Sequence, residues 1–237
     1  MEKELSVIDQ SEYFEYLNEW KKSLQEAKIL KIVNQPDKTA VFIVDVTNGF
    51  CTFGPLSSQR VGRIVDPIVE LLKICWNIGI RSYLLPQDTH DAQAEEFSEY
   101  PPHCVRGTPE ADTVDKIRDL PFFDRMIKFE KNSINSGVNP GVKDWLDSHP
   151  EVDTYILVGD CTDLCIYQLA TFLKTDANEQ QINRRVLIPE NCVDTYDMPV
   201  KIANELGGFP HHADVIHVIF LNHMAMNGIE IYRNIIT

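Results

Sequence analysis

From residue 39 onward, short apolar runs alternate with segments of helical periodicity, and this alternation is what most restricts the fold. Residues 40–44 form a continuous apolar run, as expected for a strand covered on both faces. Asp66-Pro67 begins a helix, because a proline at the first helical position loses no hydrogen bond. The alternation predicts a single α/β domain with a mostly parallel, six-stranded sheet and helices on both faces.

Residues 40–44, 80–85, 125–129, 155–158 and 185–188 are the predicted strands, with 215–219 as a sixth strand or a helix start. Residues 139–148, 164–176 and 198–206 are predicted helices. We divide the chain into an N-terminal helical extension, residues 1–37, and the main domain, residues 38–237.

The N-terminal extension is predicted to contain a helix over residues 9–28, started by Asp9 or Ser11. Its apolar face consists of Tyr13, Leu17, Trp20 and Leu24 at helical spacing. This face is expected to pack on the domain or on another subunit.

The formal net charge of −14 argues against nucleic acid and anionic membranes as partners. No stretch approaches the roughly 20 apolar residues of a membrane span, and residues 1–5 lack the apolar run of a secretory signal. We therefore expect a cytoplasmic protein whose six cysteines are reduced thiols.

Residue types that carry chemistry follow four consecutive predicted strands. Asp45 follows the first strand, Asp88 and His90 the second, Lys131 the third and Cys165 the fourth. In an open parallel sheet, ligands bind beyond the carboxyl ends of the strands, which meet at one edge. The sequence therefore predicts a site at this edge.

Cys165 is predicted to lie in the first turn of a helix, where backbone N–H groups favour the thiolate. The same N–H groups could stabilise an oxyanion. Asp45 could move the thiol proton, and a nearby lysine could stabilise the thiolate. Lys131 and Lys128 both remain candidates for that lysine, because strand alternation alone does not choose between them.

A cluster of metal-type residues begins after the second predicted strand. It contains Asp88, His90, Glu96, Glu99 and His103. Carboxylates and imidazoles together suit Zn²⁺, Fe²⁺ or Mn²⁺ and leave room for water or a substrate.

Taken in order, these segments resemble the nicotinamidase branch of the isochorismatase-like cysteine hydrolases, and the plant-type members in particular. The matching segments are residues 44–52, 88–90, 96–97, 100–104, 107–108, 131–135, 158–165 and 197–199. Each match is weak by itself, but together they span residues 40 to about 230 in the order of the family.

The resemblance implies a Cys-Asp-Lys triad of Cys165, Asp45 and Lys131, with Lys131 chosen over Lys128 by the family's motif. It implies the metal ligands Asp88, His90 and His103, joined by Glu96 with Glu99 as its rival. Phe50 and Tyr100 match aromatic residues that contact the substrate ring.

The resemblance also implies a cis peptide bond between Asp160 and Cys161 and an oxyanion hole formed by the N–H groups of Cys161 and Cys165. Two segments depart from the family. Asp160 and Cys161 replace small or apolar residues, and residues 133–137 replace an aromatic-containing stretch.

The activity that the resemblance implies is the hydrolysis of nicotinamide to nicotinate and ammonia through a cysteine thioester, with the substrate ring on a divalent metal, Zn²⁺ before Fe²⁺ or Mn²⁺. It also implies a homo-oligomer, a dimer or tetramer. The alternatives are another small amide or an N-carbamoyl or ureido compound as substrate, and a non-catalytic metal-binding or redox protein.

Overall fold

The computed structural model describes the chain from residue 7 to residue 237, with side chains from residue 11. Its strands are β1 (Glu26–Lys28), β2 (Thr39–Val44), β3 (Ser82–Asp88), β4 (Ile127–Lys131), β5 (Thr154–Asp160), β6 (Arg185–Pro189), β7 (Val193–Asp194), β8 (Glu230–Tyr232) and β9 (Asn234–Ile236). Its helices are α1 (Val7–Ser23), α2 (Ile29–Ile32), α3 (Asn48–Cys51), α4 (Gln59–Arg63), α5 (Val65–Asn77), α6 (Asp115–Arg118), α7 (Pro140–Ser148), α8 (Tyr167–Gln180), α9 (Val200–Leu206) and α10 (Ala213–Met226).

Seven strands form the main sheet, in the order β4-β3-β2-β5-β6-β8, and β7 pairs with the end of β5. Every one of these pairings is parallel. The α/β class with a parallel sheet is therefore confirmed, with seven strands instead of the six expected. Both β2 and β5 are buried along their whole length at the centre of the sheet.

The two faces of the sheet bury separate apolar cores. On β2, Val41 and Ile43 contribute to the core beneath α5, whereas Phe42 and Val44 contribute to the core beneath α7, α8 and α10. Because successive side chains on a strand point to opposite faces, a strand covered on both sides must be apolar throughout. Helices on both faces therefore explain the unbroken apolar run.

The segment 215–219 lies within α10 and is not a strand. His217, Leu221 and Met224 are buried at intervals of four and three residues, as on one helix face. The remaining strands of the sheet are β7 and β8, which were not expected. With two and three residues, they have patterns too short to recognise.

The third predicted strand is displaced by two residues. The prediction covered 125–129, but β4 begins at Ile127 and ends at Lys131. As an edge strand, β4 is mostly exposed and therefore has no continuous apolar run to mark its limits. The displacement makes Lys131 the last residue of the strand.

The N-terminal helix ends earlier than predicted. Helix α1 stops at Ser23, and residues 26–28 form β1, which pairs in parallel with β9. Leu17 and Leu24 are buried and Trp20 packs against the domain core, whereas Tyr13 is 46% exposed. Leu17, Leu24 and part of Trp20 are thus covered by the chain itself, whereas Tyr13 is not.

Neither proposed start of α1 is supported. Ser11 lies inside the helix, which begins at Val7, and the side chain of Asp9 falls outside the described part of the chain. The division at residues 37 and 38 remains a prediction, although β1 joins the extension to the C-terminal strand. None of the helices in residues 7–237 has the length and apolarity that crossing a bilayer requires.

Candidate active site

The carboxyl ends of four neighbouring strands bring the candidate residues together. Asp45 follows β2 directly, while Asp88 ends β3 and Lys131 ends β4, where the two are register partners. Strand β5 ends at Asp160 and continues into the turn that contains Cys165. Parallel strands thus deliver residues far apart in sequence to one edge of the sheet.

Lys131 is the centre of this cluster. Its Nζ lies 2.8 Å from Asp45 Oδ2, 2.5 Å from Asp88 Oδ1 and 3.7 Å from Cys165 Sγ. A carboxylate oxygen of Asp45 lies within 4.8 Å of the Cys165 sulfur. Lys131 is 2% exposed, whereas Lys128 is exposed. Lys131 is therefore the lysine that reaches the thiol.

The backbone holds the Asp45 carboxylate in place. Asp45 has a left-handed φ of 55°, which is uncommon for a residue other than glycine. Its Oδ1 accepts a hydrogen bond of 2.7 Å from the backbone N–H of Asp88. That bond leaves Oδ2 directed at Lys131.

Burial and charge set the protonation states of the cluster. Burial, reinforced by the negative charge of Asp88, raises the pKa of Asp45 to about 6. Burial also raises the pKa of the Cys165 thiol, although Lys131 opposes it. Burial by itself lowers the pKa of Lys131, but the charges of Asp45 and Asp88 outweigh burial and hold this pKa well above its ordinary value. The lysine stays charged, and Asp45 is a stronger base than an ordinary aspartate.

The nucleophile candidate lies in a π-helical turn, Thr162–Ile166, just before α8. The N–H groups of Leu164 and Ile166 both donate to the carbonyl of Cys161, which tightens the turn around Cys165. The prediction placed Cys165 in the first turn of α8 itself. The peptide bond between Asp160 and Cys161 is cis, as the resemblance implied.

Four residues next to the triad form a cluster with metal-type ligands. Asp88, His90, Glu96 and His103 each offer one ligand atom, and these atoms all lie within 4.8 Å of one another. The His90 Nε2 atom lies 3.5 Å from Asp88 Oδ1 and 3.9 Å from Glu96 Oε1. Glu99 lies outside the cluster and instead accepts a hydrogen bond from Ser98. Glu96 is thus the glutamate that faces the histidines.

The hydrogen bonds of the two histidines direct their Nε2 atoms inward. His90 Nδ1 lies 2.8 Å from Asn132 Oδ1, and His103 Nδ1 lies 2.8 Å from the carbonyl of Pro101. Both partners accept, so each Nδ1 carries a proton, and in the neutral ring each Nε2 then keeps a lone pair. His90 Nε2 is buried without a hydrogen-bond partner. A divalent cation fits this donor set.

Asp45, Asp88 and Cys165 also place ligand atoms within 4.8 Å of one another. Lys131 contacts all three of these side chains. Its ammonium group already supplies the positive charge there. The four-residue cluster is therefore the better metal site.

An inner pocket connects the triad with the metal-type cluster. Its lining consists of Phe50, Leu56, Asp88, Glu96, Tyr100, His103, Ile134, Asp160, Cys161, Leu164 and Cys165. Both predicted ring contacts, Phe50 and Tyr100, belong to this wall. Aromatic and aliphatic side chains thus surround a few polar groups, which is typical of pockets for small molecules.

An outer cleft lies next to the inner pocket. Glu96, Tyr100 and Ile134 line both spaces, and the cleft also includes Asn132 and Gln168. Asn132 was missed as a residue that orients His90, although it directly follows the predicted lysine. Its role depends on contact with a histidine 42 positions away in the chain.

The comparisons with known proteins agree with this architecture. An isochorismatase domain matches residues 39–199. Nicotinamidase 1 of Arabidopsis thaliana is 26% identical over 226 residues, covering 86% of this chain and 89% of the relative.

Solved structures share the fold. A nicotinamidase from Bacillus subtilis superposes with a TM-score of 0.63 at 20% identity, covering 83% of this chain and 99% of its own. An N-carbamoylsarcosine amidase from Thermoplasma acidophilum gives 0.60 at 18% identity, covering 82% and 95%. At these identities the structures establish the fold alone.

The isochorismatase domain and the nicotinamidase relatives together define the class of protein as a hydrolase that acts on an amide bond. The chain belongs to the isochorismatase domain family.

Proposed function

We propose that this protein hydrolyses nicotinamide to nicotinate and ammonia, with Cys165 as nucleophile. The observation that carries the proposal is the contact of the buried Lys131 ammonium with both Asp45 and Cys165, at 2.8 and 3.7 Å. The similarity to the Arabidopsis nicotinamidase over most of both chains supports this substrate.

Asp45 begins the proposed reaction by taking the thiol proton of Cys165. The sulfur attacks the amide carbon, and the N–H groups of Cys161 and Cys165 stabilise the oxyanion. Asp45 then gives the proton to the departing nitrogen, so that ammonia leaves and a thioester remains. Water, deprotonated by Asp45, attacks the thioester and releases the acid and the free thiol.

Lys131 has an electrostatic role in this scheme. Its charge stabilises the thiolate and keeps Asp45 ionised despite burial, since both groups lie against it. Phe50 and Tyr100 line the pocket wall and would orient the substrate ring.

We propose that Asp88, His90, Glu96 and His103 hold a divalent ion, Zn²⁺ before Fe²⁺ or Mn²⁺. The unpaired Nε2 of His90 supports this assignment. Such an ion would bind the ring nitrogen of nicotinamide and so orient the amide toward Cys165.

Ammonia release from nicotinamide by the purified protein tests the proposal. Cys165→Ala should abolish turnover while the protein stays folded, because a small side chain replaces a small side chain. Cys192→Ala, at another buried cysteine, should retain activity. Wild-type activity in Cys165→Ala would contradict the assignment of the nucleophile.

The same assay separates the alternative substrates. An N-carbamoyl compound hydrolysed faster than nicotinamide would favour the second activity, for which the similar fold of the N-carbamoylsarcosine amidase is the supporting observation. Activity toward nicotinamide that is lost with a chelator and restored with Zn²⁺ would support the metal-dependent reaction. A folded protein without activity toward either substrate would favour a binding or redox protein.

The assembly and the compartment stay predictions. We propose a homo-oligomer, which light scattering of the purified protein would test. Localisation in the cytoplasm is proposed on the same footing and can be tested by fractionation.

A further inference from the structure

Two histidines outside the proposed catalytic cluster hold the turn that contains Cys165. His217 Nδ1 lies 2.8 Å from the hydroxyl of Thr162, and His211 Nε2 lies 2.9 Å from Asp163 Oδ2. All four side chains are buried. The first two residues of the turn are therefore anchored by side chains from the C-terminal part of the chain.

The hydrogen bonds of His211 define its protonation state. Its Nδ1 lies 2.9 Å from the backbone carbonyl of Tyr196, and its Nε2 faces the carboxylate of Asp163. A carbonyl oxygen and an ionised carboxylate can only accept hydrogen bonds. Both ring nitrogens must then carry a hydrogen, which makes His211 an imidazolium cation.

His217 has no such requirement. Its Nε2 lies 3.4 Å from Glu190 Oε1 and needs a hydrogen, but its Nδ1 faces the Thr162 hydroxyl, which can donate. A neutral ring therefore satisfies both partners of His217. The contrast makes His211 the charged member of the pair.

The surroundings of His211 favour its charge. Burial by itself lowers the pKa of His211, but the contact with Asp163 outweighs burial and raises it. Burial likewise raises the pKa of Asp163, and the hydrogen bond with His211 brings it below its ordinary value. The ring of Tyr196 stacks on His211 at a centroid distance of 4.0 Å, which suits a cation.

The backbone around His211 is also fixed. His211 and Met198 exchange two hydrogen bonds, of 2.7 and 2.8 Å, and the Asp197 side chain accepts one from the N–H of Ala213. The imidazolium thus joins the two ends of segment 196–213, which these bonds hold together, to the turn that contains the thiol.

We propose that His211, as a buried imidazolium paired with Asp163, is a positioning residue that fixes the turn of Cys165 for attack. The inference rests on the proposed function. Asp163 precedes Cys165 by two residues, and both lie in the same tightly bonded turn. A displacement at Asp163 would therefore move the sulfur and the backbone N–H of Cys165, and a shift of about 1 Å can lower a rate roughly 100-fold.

The protonation of His211 can be tested without any substitution in the pair. Long-range ¹H–¹⁵N NMR of the wild-type protein at pH 7 should show two protonated ring nitrogens for His211, whose ring signals are assigned through the backbone resonances of the same residue. A ring with one protonated and one unprotonated nitrogen would overturn the inference.

The positioning role is tested with His211→Gln against His149→Gln. His149 also stacks on an aromatic ring, that of Trp145, and its Nδ1 faces the Trp145 carbonyl at 2.8 Å. Within residues 11–237, His149 makes no ion pair with a carboxylate. His149 is only partly buried, but it shares the ring stacking and the Nδ1–carbonyl contact of His211 without the charge pair.

We expect His211→Gln to lower kcat about 10- to 100-fold with little change in KM. It should slow alkylation of Cys165 by iodoacetamide by a similar factor, and His149→Gln should change neither rate. A His211→Gln protein that matches the wild type in both rates would overturn the proposal. Alkylation needs no turnover, so a wild-type protein inactive toward amides would refute the proposed function and leave this test readable.

A double-mutant cycle shows whether the two groups act as a pair. In Asp163→Asn combined with His211→Gln, both partners are neutral, so the loss of alkylation rate should be smaller than the product of the single losses. If the loss in the double variant equals the product of the two single losses, Asp163 and His211 act independently, and the proposed pairing is overturned. If either single variant fails to fold, the wild-type NMR spectrum still decides the charge.

Discussion

The site depends on one buried cation that serves three acidic groups. Lys131 contacts Asp45, Asp88 and Cys165 in an environment from which water is largely excluded. Although burial by itself favours the neutral acid, this ammonium brings the pKa of Asp88 far below its ordinary value. Asp45, beside that negative charge, keeps a pKa of about 6. Beside the same lysine, Asp88 therefore stays charged, whereas Asp45 is able to exchange a proton.

Removing this cation should destabilise the fold as well as stop the reaction. Lys131→Ala leaves two buried carboxylates unpaired, and breaking a buried pair costs about 3–5 kcal/mol. Urea denaturation should show this loss of unfolding free energy, and ammonia release should vanish. Lys128→Ala, on the exposed side of β4, should change stability by less than about 0.5 kcal/mol. Equal effects of the two substitutions would contradict the central role of Lys131.

The two central strands approach each other so closely that one position excludes a side chain. Gly159 of β5 has a φ of +120°, and a Cβ there would lie 1.9 Å from the carbonyl oxygen of Val44 in β2. Glycine is therefore required where β5 turns toward Cys165. The position of the nucleophile relative to Asp45 depends on this contact.

Gly159→Ala should push β2 and β5 apart at their carboxyl ends. We expect a loss of about 3 kcal/mol or more in unfolding free energy, since neither the steric overlap nor the positive φ can relax cheaply. In Gly208→Ala, a Cβ has no atom within 4 Å, so stability should remain near that of the wild type. Thermal melts of the two variants provide the comparison.

An ion pair joins the N-terminal helix to the loop after β6. Glu190 contacts Lys21 of α1 at 2.9 Å and His217 of α10 at 3.4 Å. Burial by itself raises the pKa of Glu190, but the hydrogen bonds with His217 and Lys21 outweigh it and lower the value to about 2. The charged form is thus the one that the folded state stabilises.

The contribution of Glu190 should depend on pH in a defined direction. A pKa lowered from 4.5 to about 2 stabilises the folded protein above pH 4.5 and loses this effect as the pH falls toward 2. Glu190→Gln should therefore cost up to about 3 kcal/mol at pH 7, with the difference shrinking below pH 4.5 in urea titrations. Glu19→Gln, which alters an exposed pair with Lys22, should cost almost nothing at any pH. A pH-independent loss would contradict the role of the Glu190 charge.

At the level of the complete protein, the proposed ion should couple to folding. A ligand that binds the folded state at about 100 times its Kd adds about 2.7 kcal/mol, so Zn²⁺ should raise the melting temperature by roughly 5–10 °C. His103→Ala should lose most of this shift, because it removes a ligand, whereas His149→Ala should keep it. An equal shift in all three proteins would mean that the ion binds elsewhere.

The sequence alone indicated the sheet because the central strands are buried on both faces. Such strands must be apolar throughout, and their unbroken apolar runs are visible in the sequence. It also indicated that Asp45, Asp88 and Cys165 would meet, since each follows a strand at the same edge. The strands that it missed, β1, β7, β8 and β9, contain two or three residues each. Such short segments have no measurable period, and their pairing is decided by the rest of the fold.

Tertiary structure decided the remaining assignments because each depends on a neighbour far away in the chain. It placed Lys131 inside and Lys128 outside, and it directed Glu96, but not Glu99, toward His90. The contact between His211 and Asp163 joins residues 48 positions apart and left no local pattern. Periodicity records which face of an element is buried, whereas packing determines which polar groups meet there.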